Sequence, residues 1–374
     1  MIDTIIISIP KNKIMNIGNE INGVLGWDRQ AKTRIYEKFV RNPTKSEKES
    51  GDYHPRLTGI RRKVGKEIDA FIKVEFSIPK LLFMNNINEV EERHFQLILT
   101  TLKERLYGMG MIVPERYLRY APVTAVHYSK NIQLTGGYTS QFVISELNKV
   151  DIRKSFDFTK TKFMNDGQCL YAYTISHSFV IYDKIADLKK DEKRAVDRDQ
   201  TAYQRGLFDV IKKEEMCEVI RFEARLSKKQ KMNAIFNKLG FAQNPNFEQV
   251  FSKKISQTVL MFYWQTLFKD NSILLFDFIS SPKDILRQIL IADPKLKPKQ
   301  ALYFASLINM TKDGKGAREL RSVLSKYSDQ RTWYRIKNDL KEITTMLKKV
   351  RPRDWFEQIE TGLNEYITFK YNGP

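Results

Sequence analysis

The chain has 374 residues, and 64 Lys and Arg against 44 Asp and Glu leave a formal charge of +20. Its 23 Phe, 17 Tyr and 4 Trp supply ample surface to bury, which excludes intrinsic disorder. Two cysteines, Cys169 and Cys217, with no CxxC spacing, exclude a disulfide scaffold and a thiolate zinc cluster.

No apolar run approaches the roughly 18 residues needed to cross a bilayer, so no membrane association is expected. The opening MIDTIIISIP carries Asp3 and no basic stretch, so a secretory leader is not expected and the setting reads as cytoplasmic. The length predicts two domains.

In chain order, residues 4–9 read as a short apolar strand stopped by Pro10. Residues 71–78 alternate cleanly, with Ile72, Val74, Phe76 and Ile78 on one face and Phe71, Lys73, Glu75 and Ser77 on the other. Residues 88–107 carry Phe95, Leu97, Ile98, Leu102 and Leu106 at helical spacing. A strand over 123–129 and a helix over 139–150 follow. Residues 169–175 and 179–186 read as neighbouring strands joined at Ser176-His177-Ser178. The charged stretch 189–205 reads as an exposed helix or loop, and 217–226 as another alternating strand.

From Lys228 onward the pattern turns helical. Residues 228–239 form a helix closed by Gly240. Further helices are predicted over 247–268, 282–292, 299–310, 316–325, 329–347 and 354–366. The fold class is therefore α+β: a mainly antiparallel sheet with flanking helices over 1–240, then an all-helical domain over 247–374. Asn244-Pro245-Asn246 is the strongest loop signal between them.

The surplus charge favours a polyanionic partner, DNA or RNA. Basic residues cluster at Arg56, Arg61, Arg62, Lys63 and Lys66, and again at Lys228, Lys229 and Lys231. Between Thr311 and Arg353 there are 13 basic and 5 acidic residues, with Tyr327, Trp333 and Tyr334 interleaved and Arg331 and Arg335 one helical turn apart. That mixture suits backbone contact combined with base stacking. The helices 316–325 and 329–347 match a helix-turn-helix in spacing, although plain packing produces the same spacing.

Several strands carry polar groups opposite their apolar residues. Over 219–226, Arg221, Glu223 and Arg225 share one face, an arginine–carboxylate–arginine row. Tyr182 and Lys184 share a face at two-residue spacing if the strand continues to 186, and Glu75 and His127 sit mid-strand. Each taken singly is an ordinary solvent-facing or ion-paired strand residue. Together they suit phosphodiester transfer to tyrosine. A phenol of pKa about 10 is a weak nucleophile at neutral pH and needs a nearby cation or metal to favour phenolate. The charge gathering on the phosphoryl oxygens calls for Lys, Arg or a carboxylate-held Mg²⁺ or Mn²⁺.

At these residues the sequence resembles the replication initiators of the filamentous-phage gene II/X type, also found on bacterial plasmids. The resemblance runs in order through MIDTIIISIP, VEFSIPKLLF, VHYSKN, VIYDKIADL and VIRFEARL, and so spans about residues 1–240. It implies an enzyme that nicks one strand of a double-stranded origin, forming a 5′-phosphotyrosyl link and a 3′-OH that primes rolling-circle synthesis. By position the nucleophile is Tyr182, with Tyr171, Tyr173 and Tyr128 as possible substitutes. Lys184 is carried over beside it and Glu223 as a metal ligand or general base; Arg221 is expected to add fixed positive charge, and Glu75 and His127 to be further ligands for Mg²⁺ or Mn²⁺. Arg61, Arg62, Lys63, Arg225, Lys228, Lys229, Arg331 and Arg335 are the expected nucleic-acid contacts.

The implied partners are the double-stranded origin, single-stranded DNA and a host helicase and polymerase, in the cytoplasm of a bacterial host. One departure stands out: the His-hydrophobe-His metal pair of many rolling-circle enzymes and relaxases is missing. The four histidines, His54, His94, His127 and His177, are well separated. A non-catalytic DNA-binding regulator and a plasmid-mobilisation relaxase are the competing readings. A tyrosine recombinase fits poorly, because no arginine–histidine–arginine set precedes a late tyrosine.

Overall fold

The computed structural model describes residues 1–18, 36–49, 51–65, 67–150, 152, 160–164, 168–188, 218–269, 282–312, 316–347 and 354–371. The stretch 189–205, expected from sequence to be exposed, lies outside these residues, as does Cys217. The α+β class expected from the sequence is what the structure shows.

The strands in chain order are β1 (Ile2–Pro10), β2 (Asn16–Ile17), β3 (Tyr36–Arg41), β4 (Arg56–Val64), β5 (Glu67–Ser77), β6 (Met111–Ile112), β7 (Val123–Leu134), β8 (Lys160–Met164), β9 (Cys169–Tyr173), β10 (His177–Asp183) and β11 (Glu218–Leu226). Nine of them form one sheet in the order β3-β4-β5-β1-β7-β11-β10-β9-β8, while β2 and β6 pair separately. Every neighbouring pair in the large sheet is antiparallel.

Strand alternation gives this sheet two unlike faces. Ile5, Ile7 and Ile9 of β1, Ile72, Val74 and Phe76 of β5, Phe222 and Ala224 of β11 and Phe179 and Ile181 of β10 are all buried. The helices Phe95–Gly108, Lys229–Lys238, Lys253–Leu267 and Asp354–Glu365 contribute to the same apolar core. The helix Lys253–Leu267 buries Val259, Leu260, Tyr263, Trp264 and Leu267, a stripe at helical spacing. Trp264 meets Phe222 edge-on at 5.6 Å, and Tyr263 stacks on Phe179 at 5.2 Å.

A second apolar core joins the helices Pro282–Ala292, Pro298–Lys312, Ala317–Tyr327 and Gln330–Leu347 around Ile285, Ile289, Phe304, Ile308, Leu340 and Ile343. The Asn244-Pro245-Asn246 loop is pinned to the sheet. The Val123 amide donates to the Pro245 carbonyl, and the Phe247 amide donates to the Ala121 carbonyl. No helix among the described residues is long and apolar enough to cross a membrane.

Several elements depart from the sequence reading. The helix expected over 247–268 is two, Phe247–Val250 and Lys253–Leu267. Ser252 takes an extended backbone between them, and its hydroxyl accepts from the Ile255 amide as an N-cap. Strand β7 runs five residues past its expected end. Its polar Ser129-Lys130-Asn131 run is buried: Lys130 pairs with Glu89 at 2.7 Å, and the Asn131 backbone amide donates to the same carboxylate. Strands β3, β4 and β8 have no counterpart in the sequence reading.

Candidate active site

The second face of the sheet carries no comparable apolar layer, and the expected site residues gather on it. Strand β11 lies between β7 and β10, and its register fixes three cross-strand rows. Tyr182, Arg221 and Asn131 form one row; Val180, Glu223 and Ser129 the next; Ser178, Arg225 and His127 the third. The arginine–carboxylate–arginine row read from sequence is present, and Tyr182 stands directly opposite Arg221.

Strand β10 ends one residue after Tyr182. Lys184 therefore does not sit two residues along a strand, as the alternation predicts. It opens the short helix Lys184–Leu188, with the Asp183 carboxylate accepting from the Ala186 amide. The turn swings Lys184 under the site, where it is wholly buried with Nζ 5.7 Å from the centroid of the Tyr182 ring. Among the described residues this ammonium group has no hydrogen-bond partner, and its ion pair, with Asp187, is long at 3.8 Å. Burial, reinforced by the positive charge of Arg221, lowers the Lys184 pKa from 10.5 to about 7.

Tyr182 is half-buried, and its hydroxyl makes no hydrogen bond among the described residues. Burial pushes its phenol well above 10, against the opposing pull of Arg221. Deprotonation therefore requires a base at close quarters.

Arg221 is held rigidly. Its guanidinium donates to the Asp3 carboxylate at 2.6 Å, to Ser129 Oγ at 2.8 Å and to the Asn86 carbonyl at 2.6 Å. Sequence reasoning misses Asp3 as a site residue, for a geometric reason. Strict alternation places Asp3 with Ile5, Ile7 and Ile9 on the core face. The β1–β7 register shifts between Ile2 and Thr4, and this bulge turns Asp3 towards Arg221. Burial of the Asp3 carboxyl is outweighed by Arg221 and Lys184, which hold its pKa well below the usual carboxylate range.

Glu223 accepts two hydrogen bonds from Arg225, both at 3.0 Å, and its carboxylate lies 3.6 Å from His127 Nδ1. Burial opposes ionisation of Glu223, yet Arg225 holds its pKa below the ordinary value. Burial lowers the His127 pKa, and Glu223 pulls the other way. Glu75 lies two strands from His127 and sits 3.7 Å from Arg56 at the surface. The three expected metal ligands therefore do not converge. Among the described residues no group of three or more His, Cys, Asp or Glu side chains is arranged to hold a metal ion. A Mg²⁺ or Mn²⁺ ion at Glu223 and His127 would have to displace Arg225 from the carboxylate.

The other tyrosines separate clearly. Tyr128 is fully buried on the helix-covered face with its hydroxyl donating to the Val250 carbonyl, so it cannot meet a ligand there. Tyr171 and Tyr173 lie on the open face of β9, where their rings stack at 4.7 Å. His177 opens β10, buried and bonded around Thr174.

Of the expected nucleic-acid contacts, Arg62 and Lys63 are exposed on β4, Arg62 paired with Asp69 at 2.8 Å. Arg61 points to the other side of the strand, 3.6 Å from Glu37. Lys228 and Lys229 are exposed where the next helix begins, and Arg331 and Arg335 are exposed on Gln330–Leu347. Lys73, unmentioned among the sequence candidates, crowds against Lys228, Lys38 and Arg62. Partial burial, followed by this crowding, lowers its pKa.

Comparison with known proteins returned no matching family model, no similar curated protein and no similar solved structure.

Proposed function

We propose that the protein is a rolling-circle replication initiator that cuts one strand of its origin with Tyr182. The observation that carries the reading is the pairing of a tyrosine hydroxyl free of hydrogen bonds among the described residues with a buried lysine. Both lie beside the fixed Arg221 guanidinium, on the polar face of the sheet. A lysine that titrates near neutrality is suited to general-base work.

In this reading the Tyr182 oxygen attacks the scissile phosphorus, and its proton passes to the neutral Lys184 amine, directly or through one water. The P–O3′ bond breaks. The 3′-oxygen leaves with its bonding pair and takes a proton from the Lys184 ammonium or from water to become the 3′-OH, and the 5′-phosphate stays on Tyr182 as a phosphodiester. Arg221 supplies fixed positive charge where the phosphoryl oxygens gain negative charge, and Asp3, Ser129 and the Asn86 carbonyl hold it in place. Arg225 is the second cation of the face. The Mg²⁺ or Mn²⁺ implied by the resemblance carries no step in this scheme, because Arg225 already occupies the carboxylate of Glu223.

The test is to incubate the protein, with and without Mg²⁺ or Mn²⁺, with supercoiled DNA carrying its own replicon. The products are then separated under denaturing conditions. Open circles with protein fixed to a 5′ end are expected, and Tyr182→Phe should bind DNA but form no adduct. A non-catalytic regulator predicts binding without adduct in both proteins. A mobilisation relaxase predicts the same adduct at a transfer origin instead.

A further inference from the structure

We propose that the partly exposed polar face at β8 and β9 is a binding site for single-stranded nucleic acid, with Tyr171 and Tyr173 as a base-stacking platform flanked by Lys162 and Arg225. The proposal rests on the reading of Tyr182 only for the identity of the strand as DNA.

Tyr171 and Tyr173 are successive outward residues of β9, and their rings lie parallel within 17° at 4.7 Å, both partly exposed. Lys162, exposed on the edge strand β8, places Nζ 5.6 Å from the centre of the Tyr173 ring. The register sets Tyr173 opposite Ser178 and Ser178 opposite Arg225, so the arginine lies two strands away, about 10 Å across the sheet. Tyr182 is on the strand between. An unpaired base has a flat face that stacks on such rings whatever its identity, while the neighbouring phosphates take the cations. A paired base offers no such face, which selects a single strand.

The far end of the same sheet favours a polyanion over an apolar protein partner. Lys228, Lys38 and Arg62, the last paired with Asp69, sit close enough to Lys73 to repel its ammonium group. From β9 to β5 the sheet spans five strand intervals, so the stacked tyrosines and this cationic cluster are about 24 Å apart.

The experiment uses the full chain carrying Tyr182→Phe, so that bound DNA stays uncut, and fluorescence anisotropy with labelled 12-nucleotide probes at fixed salt. Replacing both Tyr171 and Tyr173 by Ala should weaken binding of single-stranded DNA about 10- to 100-fold. Replacing both by Phe should leave it unchanged. An abasic probe of the same length should bind the Tyr182→Phe protein as weakly as the Ala pair binds normal DNA, and should lose nothing further on the Ala pair. A matched RNA probe tests whether the platform is confined to DNA.

Equal binding of abasic and normal probes would overturn the platform, and it needs no further variant to fold. Tyrosine-dependent binding here, together with no adduct when the wild-type chain is incubated with the replicon, would support the platform and remove the nucleophile. An adduct at Tyr182 in the wild type with binding indifferent to Tyr171 and Tyr173 would do the reverse.

Discussion

Lys184 carries opposite obligations to folding and to chemistry. Its pKa falls from 10.5 in the unfolded chain to about 7 in the folded one. Between these values the unfolded state binds more protons, so the penalty grows as pH falls from 10.5 to 7 and is constant below. Lys184→Met should therefore raise stability at pH 7 by on the order of 4 kcal/mol, a gain that vanishes above pH 10.5, while abolishing adduct formation. Chemical denaturation at pH 7 and pH 11 checks the first part. In the wild type the adduct rate should rise with pH up to about 7 and then level off. Asp3 behaves oppositely. Its lowered folded pKa contributes stability that is present above the unfolded value near 3.8 and is lost as pH falls below it, so Asp3→Asn should flatten the acid limb of a stability–pH curve. Removing Arg221 with Arg221→Gln should cost about 3–5 kcal/mol by leaving that carboxylate buried and unpaired, measurable as a lower denaturant midpoint.

Among the elements, the legible ones are those whose pattern is set by burial alone. The alternation of 71–78 and of 217–226 places both strands and puts Arg221, Glu223 and Arg225 on one face, as observed. Strands β3 and β4 escape such a reading because YEKFVR and RLTGIRRKV carry charges on both sides of the pleat, Glu37 and Arg61 pairing on one and Arg62 and Asp69 on the other. Strand β10 reads too long because nothing in YDKIA announces that Asp183 will turn the chain into a helix. The bulge that presents Asp3 is set by tertiary pairing with β7, which local sequence does not display. The break at Ser252 makes a small prediction of its own: Ser252→Ala should cost about 1 kcal/mol in thermal or chemical unfolding by removing the N-cap of Lys253–Leu267.

For the whole molecule, the sheet divides the labour between its faces. One is sealed by aromatic-rich helices, and the other is left to polar chemistry and to charge. The cationic end of that face should announce itself in salt dependence. Replacing Lys38, Arg62, Lys73 and Lys228 together by Ser should lower the slope of log affinity against log salt by roughly 0.7 for each phosphate no longer neutralised, with little change in adduct chemistry once DNA is saturating. The most direct test of the central claim is to digest the protein–DNA adduct and locate the phosphotyrosyl peptide by mass. The account predicts the peptide that contains Tyr182, with the DNA joined through its 5′-phosphate. Linkage at Tyr171, Tyr173 or any residue off this face, or the absence of a covalent product with the cognate replicon, would contradict it.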